Sequence, residues 1–219
     1  MNARAAAAAA LTLSLVAFVP AARAALQDDV HQATTILERF RDMPEHAIPE
    51  SVLRKAKGLA ILTSLKAGFI FSGEGGKGLV VARTGRGWSG PSAIGTGGAG
   101  FGFQAGAKVT EFVIILNTDE AVAAFSHGGN IAIGAGLSAA AGPVGRDAAA
   151  KVMPVAAVYT YSRSQGLFAG ASLDGTVIVT RDGANREYYG REVSPEQILS
   201  GGVKPPRGTT QLIHALDRF

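Results

Sequence analysis

The chain has 219 residues, no cysteine and a formal net charge of +4, with 47% hydrophobic and only 17% charged residues. Without cysteine it is no disulfide-stapled miniature fold and has to rest on an apolar core, which a chain of this length can supply in one domain. Lys and Arg number 21 against 17 Asp and Glu, a near balance that excludes the basic signature of a nucleic-acid binder.

Residues 1–24 have the layout of an export leader: Arg4, an apolar run over 5–19 and the small-x-small site Ala22, Arg23, Ala24. The apolar run ends at Pro20 and is too short to span a bilayer comfortably. Cleavage after Ala24 would leave residues 25–219 as a single domain, placed in a bacterial-type periplasm or outside the cell. The leader takes Arg4 and Arg23 with it, so the remaining body carries a net charge of about +2.

Leu26, Val30, Ala33, Leu37 and Phe40 recur at steps of three and four, with Asp28 and Asp29 at the start and Arg39 and Arg41 at the end. That spacing predicts an amphipathic helix ending before Pro44. A second, shorter helix is expected over 49–57, with Pro49 at its start, Gly58 just past its end and a basic cluster of Arg54, Lys55 and Lys57 in its last turn. Those cations suit the negative end of the helix dipole, and together with Lys66 they also suit an anionic ligand.

From residue 59 the period changes to that of strands. Runs over 59–65, 67–72, 79–83, 100–109, 112–116, 131–139, 155–161 and 167–180 are separated by glycine pairs and turn dipeptides. The segment 73–78 reads as a hairpin turn between Phe71 and Leu79. Over 101–107, Phe101, Phe103, Ala105 and Ala107 alternate with Gly102, Gln104 and Gly106, and a glycine face lets a sheet bend or another backbone approach closely. The expected fold class is α+β, with an antiparallel curled or barrel-like sheet and flanking helices. Further helices are expected over 119–126, capped by Asn117 or Thr118, over 194–200 with Ser194 and Gln197 in capping-box order, and over 210–218 after the break at Pro205 and Pro206.

Two glycine patterns match nucleotide-binding spacings, at 95–100 and 73–78. The first is followed by strand-like alternation instead of a helix, and the second lacks the Ser or Thr that follows a phosphate-loop lysine, so neither reads as a phosphate loop. His31, His46, His127 and His214 are scattered without metal-ligand spacing, and no serine sits in a nucleophile elbow. Glu111 and Asp174 are isolated acids, the second read as turn chemistry. No enzyme activity, cofactor or metal site is expected.

The runs 55–62 (Lys-Ala-Lys-Gly-Leu-Ala-Ile-Leu), 66–69 (Lys-Ala-Gly-Phe), 78–83 (Gly-Leu-Val-Val-Ala-Arg), 88–95 (Trp-Ser-Gly-Pro-Ser-Ala-Ile-Gly), 113–117 (Val-Ile-Ile-Leu-Asn), 128–130, 141–146 and 164–170 follow one another in an order that resembles the SYLF domain. The resemblance covers roughly 28–203 and implies a lipid-binding domain whose relatives dock on phosphoinositide membranes, some through a basic amphipathic N-terminal segment. Certain fungal relatives also engage actin. Here the first helix carries Asp28, Asp29, Glu38 and Asp42 against Arg39 and Arg41, so its apolar stripe is expected to dock on the sheet instead of in lipid. The expected partner is an anionic lipid or membrane surface, or else a protein of the cell envelope, with no nucleic acid. The export leader argues against actin. Charge and resemblance together select Arg54, Lys55, Lys57 and Lys66, then Arg83, as lipid-binding residues. Trp88 is left between an interfacial anchor and a buried residue.

Overall fold

The computed structural model describes residues 20–43, 48–128, 130–132, 139–141, 156–166 and 177–218. The expected leader through residue 19, His46, Asp174 and most of the strand expected over 167–180 lie outside the described residues.

Helix α1 (Pro20–Arg41) lays Leu26, Val30, Ala33, Ile36, Leu37 and Phe40 against the sheet, each almost completely buried. The stripe is docked on protein, as the acids of this helix led one to expect. Every buried side chain described on α1 lies from Leu26 onward, so the body after residue 24 contains the whole described core. Helix α2 (Glu50–Lys55) follows Pro49 and ends at Ala56 in an extended conformation. Gly58 is thus no helix-ending glycine, as expected above, but the first residue of a strand.

Two strands organise the molecule: β1 (Gly58–Thr84) and β3 (Ser92–Leu116), paired antiparallel from Gly58↔Leu116 to Val80↔Ser92. Strand β2 (Gly87–Trp88) lies in the connection between them and pairs with Arg83 and Thr84. Residues 73–78 are therefore not a hairpin turn. They continue β1, with Gly75 opposite Gly97 and Lys77 opposite Gly95. Glycine here serves close approach. A Cβ on Gly78 would stand 2.1 Å from the Ile61 carbonyl oxygen, and one on Gly76 would stand 2.6 Å from the Thr63 carbonyl oxygen. The two halves of β1 thus fold back onto each other, and Arg83 N donates to Lys57 O at 2.7 Å where the ends meet. A side chain at these glycines would hold the halves apart.

The rest of the sheet hangs on the outer edge of β3. Strand β6 (Val158–Gly166) pairs with Lys108–Leu116, and β7 (Val177–Thr180) pairs with Ile94–Gly97. Strand β4 (Asn130–Ala132) lies outside β7, and β5 (Ala139–Ala141) lies outside β6 as the one parallel pair among the described residues. This seven-stranded sheet curls without closing.

Alternation along the strands fills two cores, one on each face. Leu59, Ile61, Leu79, Val81, Val113 and Ile115 face α1, α4 (Asp182–Tyr189) and α6 (Thr210–Asp217). Ala60, Leu62, Val80, Phe112, Ile114 and Leu116 pack with α3 (Asp119–Ser126) and α5 (Pro195–Leu199). Thr118 caps α3 by accepting from Ala121 N, and Ser194 with Gln197 forms the expected capping box on α5.

Burial pushes the phenol pKa values of Tyr161, Tyr188 and Tyr189 above the ordinary tyrosine value. The folded state then keeps protons that the unfolded chain releases above pH about 10, so this contribution to stability is complete below that pH and is lost as the pH climbs toward the raised values. Urea midpoints are expected to fall on the alkaline side of pH about 10, and the fall to be shallower in Tyr189→Phe. An equal fall in parent and variant would remove Tyr189 from this account.

Candidate functional site

The end of α2 and the meeting of the two ends of β1 create a basic corner. Arg54 and Lys55 are exposed in the last turn of α2. Lys57 follows, and the backbone hydrogen bond from Arg83 sets that residue beside it. Arg86, in the turn between β1 and β2, holds the Gly201 carbonyl at 2.7 Å and adds a fifth cation to the same end of the molecule.

Among the described residues two carboxylates pair with these five cations. Arg54 reaches Glu50 one helical turn back at 3.1 Å, and Lys57 Nζ lies 3.6 Å from Asp119 Oδ1. Both pairs are largely exposed, so each is worth less than about 1 kcal/mol and is readily exchanged for another anion. Among the described residues Lys55 and Arg83 make no ion pair. Arg83 instead lies over the Trp88 ring, 4.3 Å from its centre, which holds an exposed guanidinium in place on a buried indole. Trp88 is thus the buried alternative and serves as a platform.

Lys66 does not join the corner. It lies nine residues beyond Lys57 on the same strand, which at the rise of an extended chain is about 30 Å away, and its cross-strand partner is Lys108. The structure therefore brings together Arg54, Lys55, Lys57 and Arg83 and separates Lys66 from them. Arg86 was missed because nothing in its turn sequence shows that the Gly201 loop comes beside it.

Two buried carboxylates are held elsewhere, both between α1 and the sheet. Asp29, fully buried on α1, receives Arg181 at 2.6 Å and has Lys77 Nζ at 3.2 Å. Glu111 of β3 is bound by Arg39 of α1 and lies 3.4 Å from Arg163 of β6. Glu111 thus has a structural partner set. Beside it, Thr35, Glu38, Arg39, Asp42, Met43 and Arg163 line a shallow groove of about 430 Å³.

His31 bonds Gln27, and His127 Nδ1 meets the Ala123 carbonyl. No group of three or more His, Asp or Glu residues suited to a metal ion occurs among the described residues. No helix among them is long and apolar enough to cross a membrane.

The family model described as "Ysc84: Las17-binding protein actin regulator" matches residues 97–219. The chain is 49% identical over 178 residues to LAS seventeen-binding protein 3 of Saccharomyces cerevisiae, covering 79% of this chain and 39% of that protein. It is 45% identical over 202 residues to the human SH3 domain-containing YSC84-like protein 1, covering 89% of this chain and 59% of the relative. The chain thus spans between two fifths and three fifths of these relatives. No solved structure gives a significant match. The expectation that actin is no partner is corrected here. It rested on the export leader alone, whereas the matched family is described by actin regulation.

Proposed function

The chain belongs to the Ysc84 family of Las17-binding actin regulators, and from that premise we propose that it is a non-enzymatic docking module whose basic corner engages anionic lipid headgroups. The observation that carries this reading is the convergence of Lys55, Lys57 and Arg83, with Arg54 and Arg86 alongside, where among the described residues the ion pairs are two exposed ones, to Glu50 and Asp119. Each such cation near an anionic membrane is worth about 1 kcal/mol, so the corner gives contact that salt weakens.

The test is co-sedimentation of residues 25–219, which hold the whole described core, with neutral and anionic vesicles at low and high salt. The parent is expected to pellet with anionic vesicles at low salt only. The variant Lys55→Gln/Lys57→Gln/Arg83→Gln is expected to lose about a hundredfold in affinity, whereas Lys66→Gln changes it by less than about fivefold. Equal losses in the two variants would sink the corner as the docking site.

The family description favours a second reading, in which the partner of the same corner is a protein of the actin machinery. Actin filaments replace vesicles in the same assay. Pelleting with filaments but with no vesicle would move the corner from lipid to protein.

A further inference from the structure

The cations of the corner are held in different ways, and the difference singles out one of them. Arg54 is engaged by Glu50 and Lys57 by Asp119, while Arg86 donates to the Gly201 carbonyl. Arg83 is held by its flat face instead. Its guanidinium lies 4.3 Å from the centre of the Trp88 ring, and among the described residues its side chain makes no hydrogen bond and no ion pair. A face contact uses none of the five N–H donors of the group, so the whole edge stays open to a ligand.

The backbone fixes this stack from both sides. Arg83 and Trp88 are direct partners in the pairing of β1 with β2. One residue further along, Ser89 N donates to the Ala82 carbonyl at 2.8 Å, and Ala82 N donates to Ser89 Oγ at 3.0 Å. Arg83 N in turn donates to Lys57 O at 2.7 Å, which sets the guanidinium beside the other cations.

The identity of the stacking residue also calls for a reason. Trp88 is 7% exposed and belongs to the core under α1, yet its indole N–H is buried without a hydrogen-bond partner. A phenylalanine buried there would leave no orphan donor. What tryptophan adds is the strongest π face for a cation, and Arg83 occupies that face.

We infer, on the corner reading proposed above, that Arg83 is the specificity-determining residue of the corner and Trp88 its positioning residue. The stack presents a guanidinium edge that grips an oxyanion through two parallel N–H donors, where a lysine offers a point charge. A corner that sensed charge alone would accept lysine at position 83 equally well. Holding the side chain before contact also removes part of the ordering cost of binding.

The test is co-sedimentation of residues 25–219 at low salt with vesicles of phosphatidylserine in phosphatidylcholine. Arg83→Lys keeps the charge and is expected to weaken binding about fivefold, with the salt dependence unchanged. Trp88→Leu is expected to weaken binding about fivefold in the parent and less than about twofold in the Arg83→Gln background, because the ring acts only through Arg83. Its loss of core packing lowers the thermal transition in both backgrounds, so a merely structural role would weaken binding equally in both. Should Trp88→Leu fail to fold, Arg83→Lys decides by itself, since Arg83 is exposed. Parent-like binding by Arg83→Lys, or equal losses from Trp88→Leu in the two backgrounds, would overturn the inference and leave the corner standing. A parent that pellets with no vesicle would remove the corner reading, and the roles of Arg83 and Trp88 with it.

Discussion

Gly78→Ala is expected to destabilise the fold by about 3 kcal/mol, a large effect for the addition of one methyl group. The added carbon would stand 2.1 Å from the Ile61 carbonyl oxygen and 2.6 Å from Leu62 Cα, both backbone atoms of the opposing half of β1. No side chain can rotate away to make room, so the two halves must separate. Separation disturbs both cores at once, because Ile61 and Leu79 belong to one and Leu62 and Val80 to the other. Gly75→Ala is the control. Nothing lies within 4 Å of its added carbon, and it should change stability by no more than about 0.5 kcal/mol. Urea denaturation of the two variants measures the contrast, and similar midpoints would refute the folded-back seam.

The second large effect is expected at Asp29. Its carboxylate is fully buried between Arg181 at 2.6 Å and Lys77 at 3.2 Å. Removing one partner of a buried pair leaves a charge without its counter-ion and costs about 3–5 kcal/mol where both groups are deeply buried. Here Lys77 is half exposed and Arg181 partly so, and water recovers part of that loss. Asp29→Asn is accordingly expected to cost about 2 kcal/mol and Lys77→Gln less than about 1 kcal/mol. A double-mutant cycle between Asp29→Asn and Arg181→Gln should show coupling, since they touch. Additive costs would mean that Asp29 is stabilised by something other than these cations.

The helices were legible from residues close together in sequence. The three-and-four spacing from Leu26 to Phe40 marked α1, and Ser194 with Gln197 marked the start of α5. Helix α4 escaped notice because its segment, from Asp182 through Gly183 and Asn185, carries weak helix formers; Asn185 is held by bonds to Ala93 N and Ser92 Oγ. The glycines of 73–78 were read as a turn because glycine marks turns and close backbone approach alike, and only the position of the Ile61–Ser64 segment decides between them. The same limit applied to the site. Arg54, Lys55 and Lys57 were visible as neighbours, and the family resemblance is borne out by the match over 97–219. That Arg83 joins them and Lys66 leaves them depends on β1 running unbroken and folding back, which no local pattern encodes. Glu111 looked like a lone acid because its partners lie 72 and 52 residues away.

The two ionic anchors on α1 have a consequence apart from stability. A helix that offers a stripe of Leu, Val, Ile and Ala to an apolar sheet could slide along it with little loss, since one such side chain replaces another. Each residue of slippage moves the helix by 1.5 Å along its axis and turns it by about 100°. Asp29 and Arg39 are ten residues apart, about 15 Å along the axis, and each has partners fixed on different strands or loops. One contact alone would permit pivoting, but two spaced ten residues apart allow a single axial position and a single rotation. The charges thus act as an alignment key, selecting one placement of the helix among several that the greasy stripe alone would accept.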